Sequence, residues 1–251
     1  MTRALLAFLC VLAFGSGARA ADIKLLTTGA FNPVALDIVA DFEKQTGHKV
    51  NVVNDTAGGV AHRISSGEPF DLVVLTQDRL DKMVGDGKIV EDTITPLIQV
   101  GIGVAVRLSA PRPDISNIET FRRTLLSARA VAYMDPSAGA TSGIYLEQMF
   151  QRLGILPQIR QKAVKVVGGL SAERVARGEA DIALQQYSEI LLVPGVQHVG
   201  LIPAPVQNYT IYAGAVGAHA RDKNAATDLL AAFADPGIEP ILKKHGVDMP
   251  Q

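Results

Sequence analysis

The sequence predicts an α/β protein of two lobes, with two crossings between the lobes and a ligand cleft where they meet. Three observations lead there. Short apolar runs alternate with amphipathic helical stretches along most of the chain, the rhythm of βαβ units with right-handed crossovers. That rhythm comes in two blocks. Two long strand-like segments, 97–106 (LIQVGIGVAV) and 209–217 (YTIYAGAVG), bound the second block and share a Gly-Val-Ala texture. The division expected is a signal peptide over 1–20, a first lobe from 21–100 plus 208–251, and a second lobe over 101–207.

The opening residues read as an address. Arg3, an uncharged stretch from Ala4 to Phe14 and the tripeptide Ala18-Arg19-Ala20 make a secretory signal cut before Ala21, which implies a periplasmic protein. Cleavage removes Cys10, the single cysteine, and with it any disulfide, thiol nucleophile or cysteine-bound zinc.

Ile23 to Leu26 then reads as a strand. Phe31, Val34, Ala35, Ile38, Val39 and Phe42 fall at helical spacing on one face, with Asn32 able to cap, Pro33 in the first turn and Gly47 as the stop. Lys49 to Val53 is the next strand, and Ala57-Gly58-Gly59 leads into a short helix closing at Gly67. Phe70 to Leu75 is a continuous apolar run suited to a buried parallel strand, and a helix from Asp78 to Val84 follows.

In the second block, Ser116-Asn117-Ile118-Glu119 reads as a capping box opening a helix to Ser127. A strand over 130–134 feeds the loop DPSAGATSG and a helix that stacks Leu146, Met149, Phe150 and Leu153 before Gly154. Ala163 to Val167, a helix after Ser171 and a strand over 181–186 complete it. Two amphipathic helices, carrying Leu229, Leu230 and Phe233, then Ile241 and Leu242, close the chain.

Composition narrows the function. The 24 basic and 25 acidic side chains nearly cancel, which argues against a nucleic-acid partner, and no apolar run reaches the length of a membrane span. The chain holds no GxxxxGK[ST], GxGxxG, HExxH or GxSxG motif. His48, His62, His198, His219 and His245 are scattered without metal-ligand spacing, and no cofactor or metal site is read. Asp135 and Asp181 would pair only by a coincidence of folding. Asn54-Asp55-Thr56 and Asn208-Tyr209-Thr210 match the glycosylation sequon, which matters only in a host that glycosylates.

The informative feature is three small, hydroxyl-rich, uncharged loops, each leaving a strand and opening a helix. They are Thr27-Thr28-Gly29-Ala30-Phe31, Thr56-Ala57-Gly58-Gly59 and Ser137-Ala138-Gly139-Ala140-Thr141-Ser142-Gly143. Helix N-termini present amides without intrahelical partners and about half a positive charge, so they hold anions without lysine or arginine. Small polar residues also fill ordinary loops; three such loops on both lobes tip the reading toward a site. The candidate ligand-binding residues are Thr28, Gly29, Ala30, Phe31, Ala57, Gly58, Gly59, Ser137, Thr141 and Ser142, with Gln77, Gln185, Gln186 and Tyr187. Arg63, one turn into its helix, reads as a solvated side chain.

The segments IKLLTTGAFNPVALDIVADFEKQTGHKV, EPFDLVVLTQDRLDKMV, DPSAGATSGIYLEQMFQRLGI and FADPGIEPILKKHGV resemble the periplasmic solute-binding proteins of ABC importers, most of all the molybdate-binding family. The resemblance spans nearly the whole chain after residue 20. It implies a clamp that closes on a small anion and delivers it to an inner-membrane ABC permease, as a monomer and without turnover. By position, Ala30 sits in the first binding loop, Ala57 in the second and Thr141 in the third, while Gln186 ends a strand of the second lobe. The family usually has serine at the positions of Ala30 and Ala57 and tyrosine at that of Gln186. Two lost hydroxyls and the Gln185-Gln186 pair suit a small organic carboxylate as an alternative to a molybdate- or tungstate-like oxyanion. A further alternative is a periplasmic enzyme on the same scaffold, with Gln185, Tyr187 and Glu189 as its polar candidates. A signalling partner that contacts a sensor through the clamp has no support in the residues.

Overall fold

A computed structural model describes residues 20–250; the signal segment expected over 1–20 lies outside them except for Ala20. In chain order, β1 (Asp22–Thr28), α1 (Asn32–Thr46), β2 (Lys49–Asp55), α2 (Ala57–Ser65), β3 (Leu72–Thr76), α3 (Gln77–Gly85) and β4 (Thr95–Val100) come first. The chain then crosses into β5 (Ile102–Arg107), α4 (Ile118–Ser127), β6 (Val131–Met134), α5 (Thr141–Arg152), α6 (Leu156–Arg160), β7 (Ala163–Val166), α7 (Ala172–Ala176), β8 (Ile182–Gln186), α8 (Tyr187–Ile190) and β9 (Val196–Leu201). It returns through β10 (Thr210–Val216) and ends in α9 (Lys223–Ala234) and α10 (Glu239–Lys244).

Two five-stranded sheets result, ordered β2-β1-β3-β10-β4 and β7-β6-β8-β5-β9. The βα units pair in parallel, β1 with β2 and β3, and β6 with β7 and β8. The strands at the crossings run against them: β10 is antiparallel to β3 and β4, and β5 to β8 and β9. This is the two-lobe α/β architecture that the alternation of strands and helices predicts.

The apolar stripe of α1 explains the first lobe's packing. Val34, Ala35, Ile38, Val39 and Phe42 are buried against β1 and the α9 residues Leu229, Leu230 and Phe233, and the Phe31 and Phe233 rings meet edge to face at 5.1 Å. Gly47 ends the helix at φ +76°, a conformation cheap only for glycine. In the second lobe Phe121, Leu125, Leu146, Met149 and Phe150 pack against β5, β6 and β8.

Several local expectations need correction or addition. Segment 97–106 is two strands in different sheets, because the chain changes lobe at Gly101, packed beside Gln207 and Tyr209. Phe31 occupies the N-cap of α1, and Asn32 is its first helical residue. The capping box of α4 closes between Asn117 and Thr120, not through Ser116 and Glu119. Strand β9 was not anticipated, since VQHVGL lacks a continuous apolar pattern. Asp135 and Asp181 do not pair: one caps the turn at Ser137 and the other binds Arg129. Arg63 is no free solvated residue, for it bridges Asp55 and Glu68.

The two crossings are stapled to each other. The Gln207 side chain accepts from the Ile102 amide at 2.8 Å and donates to the Ile102 carbonyl at 3.0 Å, so an amide side chain stands in for a neighbouring strand. At the far end of the first sheet, the Asp71 carboxylate is 2% exposed. It accepts from the backbone amides of Lys24 and Arg221, both at 2.7 Å, and from the Arg221 guanidinium at 2.9 Å. Burial alone would raise its pKa, but the Arg221 and backbone bonds outweigh that and hold it below the usual carboxylate value. Asp71→Ala should therefore cost about 3 kcal/mol in chemical denaturation at neutral pH. Because the folded-state pKa is lowered, this contribution is present above pH ~4 and is lost as the solution is acidified, so wild type and variant should converge at low pH.

Candidate functional site

In open α/β sheets the carboxyl ends of parallel strands and the helix N-termini beyond them form the binding edge, and here two such edges face each other. Thr28, Asp55, Met134 and Gln186 end β1, β2, β6 and β8, and all four line one cavity of about 370 Å³. The start of α1 contributes Gly29, Ala30 and Asn32; the start of α2, Thr56 and Ala57; the start of α5, Ala140, Thr141 and Ser142. Gly168, Gly169 and Leu170 follow β7, Glu189 and Leu192 belong to the α8 region, and Tyr212 comes from β10.

Hydrogen bonds between the lobes fix this arrangement. The Thr56 hydroxyl donates to the Ala138 carbonyl at 2.8 Å, and the Gly58 amide to the Gly139 carbonyl at 3.1 Å. The Ser188 hydroxyl donates to the Ala30 carbonyl at 2.9 Å, and the Gln186 amide to the Thr210 hydroxyl at 3.0 Å. Gly143 lets α5 start flush against the end of β6, since a side chain there would overlap the Met134 carbonyl.

Among the described residues no lysine, arginine or histidine lines the cavity. Asp55 is neutralised by the Arg63 guanidinium at 2.9 Å and by the Thr56 amide at 2.8 Å. The buried Thr28 Oγ1 and Gln186 Oε1 have no hydrogen-bond partner among the described residues; both residues line the cavity, so a ligand can satisfy them.

Of the two acidic side chains in the lining, Asp55 is paired with Arg63 and Glu189 faces no cation among the described residues. Its carboxyl lies against Gly29 of the opposite lobe, where an added Cβ would displace it. Burial pushes its pKa up to about 8, opposed only by a hydrogen bond from Gln185. A carboxyl neutral at pH 7 and ionised slightly above it suits proton transfer.

Of the residues expected from the sequence, Thr28, Gly29, Ala30, Ala57, Thr141, Ser142 and Gln186 come together at the cavity. The other seven do not line it. Phe31 is a fully buried core ring, and Gly58 spends its amide on the other lobe. The Gly59 amide is taken by the Thr56 cap. Gln77 lies exposed at the start of α3, bonded to Asp81, and Ser137 is exposed in the turn capped by Asp135. Gln185 holds the Ser171 amide at 2.6 Å behind the cavity, and Tyr187 packs against Gly103 and Gly246. Sequence reasoning left Tyr212 out of the set because its strand reads as core, and named Glu189 only as a polar candidate of the enzyme alternative because nothing local places it at the cavity wall. Among the described residues no group of three or more His, Cys, Asp and Glu could hold a metal ion, and no helix is long and apolar enough to cross a membrane.

Two outcomes follow from this geometry. The folded state holds the Glu189 proton more tightly than the unfolded chain does, so stability falls as pH rises from ~4.5 through about 8. Glu189→Gln should unfold several degrees above wild type at pH 9 and close to it at pH 5, by differential scanning fluorimetry. At Gly58 an added Cβ would lie 2.6 Å from the Ala138 carbonyl oxygen and 2.7 Å from the Gly139 Cα, both backbone. Gly58→Val should keep both lobes folded by circular dichroism, yet hold them apart, seen as a larger radius of gyration in small-angle scattering.

The sequence profile described as bacterial extracellular solute-binding protein matches residues 23–248. An aconitate isomerase from a Pseudomonas species is 34% identical over 234 residues, covering 87% of this chain and 88% of that one. A molybdate-binding protein of Escherichia coli is 28% identical over 236 residues, covering 89% and 88%. In three dimensions the chain superposes on the periplasmic molybdate-binding protein of Azotobacter vinelandii with a TM-score of 0.76 at 20% identity, covering 91% of this chain and all of that one. The first of these overturns the expectation of binding without turnover, since a relative this similar over nearly its whole length is an enzyme. The two facing sheets, the match over 23–248 and the likeness to molybdate-binding proteins lead to one conclusion: the chain belongs to the bacterial extracellular solute-binding proteins.

Proposed function

We propose that this chain is an enzyme that binds a small unsaturated polycarboxylate between its lobes and shifts a proton along the carbon skeleton, an aconitate isomerase in activity, with Glu189 carrying the proton. The observation that carries the reading is the part-buried Glu189 carboxyl, packed against Gly29 at the cavity wall with its pKa pushed up to about 8. The 34% identical aconitate isomerase supports it.

The chemistry follows from the substrate class. A cis–trans change at a carbon–carbon double bond needs that bond weakened, either by adding a nucleophile or by removing an allylic proton. The cavity offers no thiol, and Cys10, the single cysteine, lies outside the described residues. It does offer a base. Ionised Glu189 takes a proton from the methylene beside the double bond, and the electron pair spreads over three carbons and onto a carboxylate. Glu189 then returns the proton to the other end of the three-carbon unit. One C–H bond breaks, one forms, and nothing is oxidised or reduced.

Binding rests on the uncharged donors. Amides at the starts of α1 and α5 and the Ala57 amide of α2, with the hydroxyls of Thr28, Thr141 and Ser142, supply hydrogen bonds worth roughly 1.5–3 kcal/mol each to a charged partner. Ala30 and Ala57 line the cavity with methyl groups, which suits a ligand with a carbon skeleton. A second reading, favoured by the family match, has the same monomeric periplasmic clamp delivering its ligand to an inner-membrane ABC permease. The two readings part on whether the bound molecule is changed.

Proton NMR of cis- or trans-aconitate in D2O decides between them. The wild-type protein should interconvert the isomers and wash deuterium into the methylene and vinyl positions, with a rate that rises as pH increases through about 8. Glu189→Gln should lose at least 100-fold in rate while still binding by calorimetry. An unchanged spectrum with measurable binding would overturn the isomerase reading and favour delivery.

A further inference from the structure

Tyr212 faces Glu189 from the other lobe, and the reaction proposed above does not yet use it. It sits in the middle of β10, paired with Thr76 of β3 on one side and Ile98 of β4 on the other. Its ring joins the first lobe's core and is 2% exposed, yet the residue lines the cavity. The ring therefore cannot swing, and its hydroxyl stays where the sheet puts it.

The hydroxyl's surroundings define what it can do. The Gln186 amide, from the second lobe, donates to the Tyr212 oxygen at 3.4 Å while also donating to Thr210 at 3.0 Å. Besides Gln186, the Thr141 hydroxyl of the facing lobe hydrogen-bonds this phenol; when both groups donate to the phenol oxygen, its own proton is left for an acceptor in the cavity. Burial, and next the nearby Glu189 charge, raise its pKa well above that of a free phenol, against the lowering influence of Thr141 and Gln186. Tyr212 is accordingly no base. It is a fixed neutral donor beside an acid–base group.

Resting on the proposed proton shift, we infer that Tyr212 donates its hydroxyl hydrogen bond to the substrate carboxylate oxygen on which negative charge gathers when Glu189 removes the proton. The bond strengthens as that oxygen gains charge and relaxes when the proton returns to carbon. The tyrosine proton itself is not transferred, so Glu189 alone carries the proton and Tyr212 lowers the barrier at both ends. This arrangement also explains why the donor and the base come from opposite lobes. The pair is assembled only when the lobes are together, so proton removal awaits enclosure of the substrate.

The test compares wild type, Tyr212→Phe and a series with fluorinated tyrosines placed at 212, following trans-aconitate isomerisation and deuterium wash-in together. Tyr212→Phe keeps the ring in the core and should lower kcat about 100-fold with KM changed less than ~3-fold, and deuterium wash-in should fall in parallel. Across the fluorotyrosines, whose packing barely differs, log kcat should track the acidity of the phenol. A kcat within ~3-fold of wild type for Tyr212→Phe, a loss confined to KM, or rates indifferent to phenol acidity would each overturn the role given to Tyr212 while leaving the isomerase reading standing. A wild-type protein that neither isomerises nor exchanges would instead overturn both.

Discussion

The hydrogen bonds that Thr56 and Gly58 make to the carbonyls of Ala138 and Gly139 hold the carboxyl edges of two separate sheets face to face. Without that contact the helix starts on each lobe would point into water, where their orphan amides are already satisfied and have little to offer a solute. Brought together, the amides and hydroxyls at the starts of α1, α2 and α5 line one cleft between the lobes. In a cleft each donor counts for more than on an open surface, because less of the competing solvent dielectric surrounds it.

The same enclosure makes an acid out of an ordinary glutamate. Glu189 begins on a short helix directly after β8, and its carboxyl meets backbone, not a cation, at Gly29. A neighbouring arginine would have returned it to a low pKa, as Arg221 and the backbone do for Asp71. The two carboxylates show how burial acts through its partners: one is stabilised as a charge and holds a sheet edge together, and the other is kept neutral and gives up stability at high pH. That sacrifice is the ordinary companion of a working site.

Much of this was legible in the chain. The stripe from Phe31 to Phe42, the stop at Gly47 and the alternation of strands with helices fix their elements by local spacing alone. The three loops were visible too, because the same small-residue run between a strand and a helix recurs on both lobes. Harder to see was anything that depends on which side of a strand faces out. Gln185 and Gln186 are neighbours in sequence, yet only the second reaches the cavity, the first supporting Ser171 behind it. Gly58 reads as a ligand-contacting glycine, but its closeness is to another backbone. Tyr212 and Glu189 carry no local signature, since their character comes from the lobe opposite. The break at Gly101 was hidden for a similar reason: a chain that leaves one sheet and enters another keeps an unbroken apolar pattern.

Gly29 and Glu189 are 160 positions apart, yet they occupy what is almost a single volume. A methyl group on the first would shove the carboxyl of the second out of its niche, into water or toward a counter-charge, and strip it of its basicity near neutrality. A side chain at position 29 and a glutamate seated in this niche at position 189 therefore exclude each other, whichever use the cleft serves.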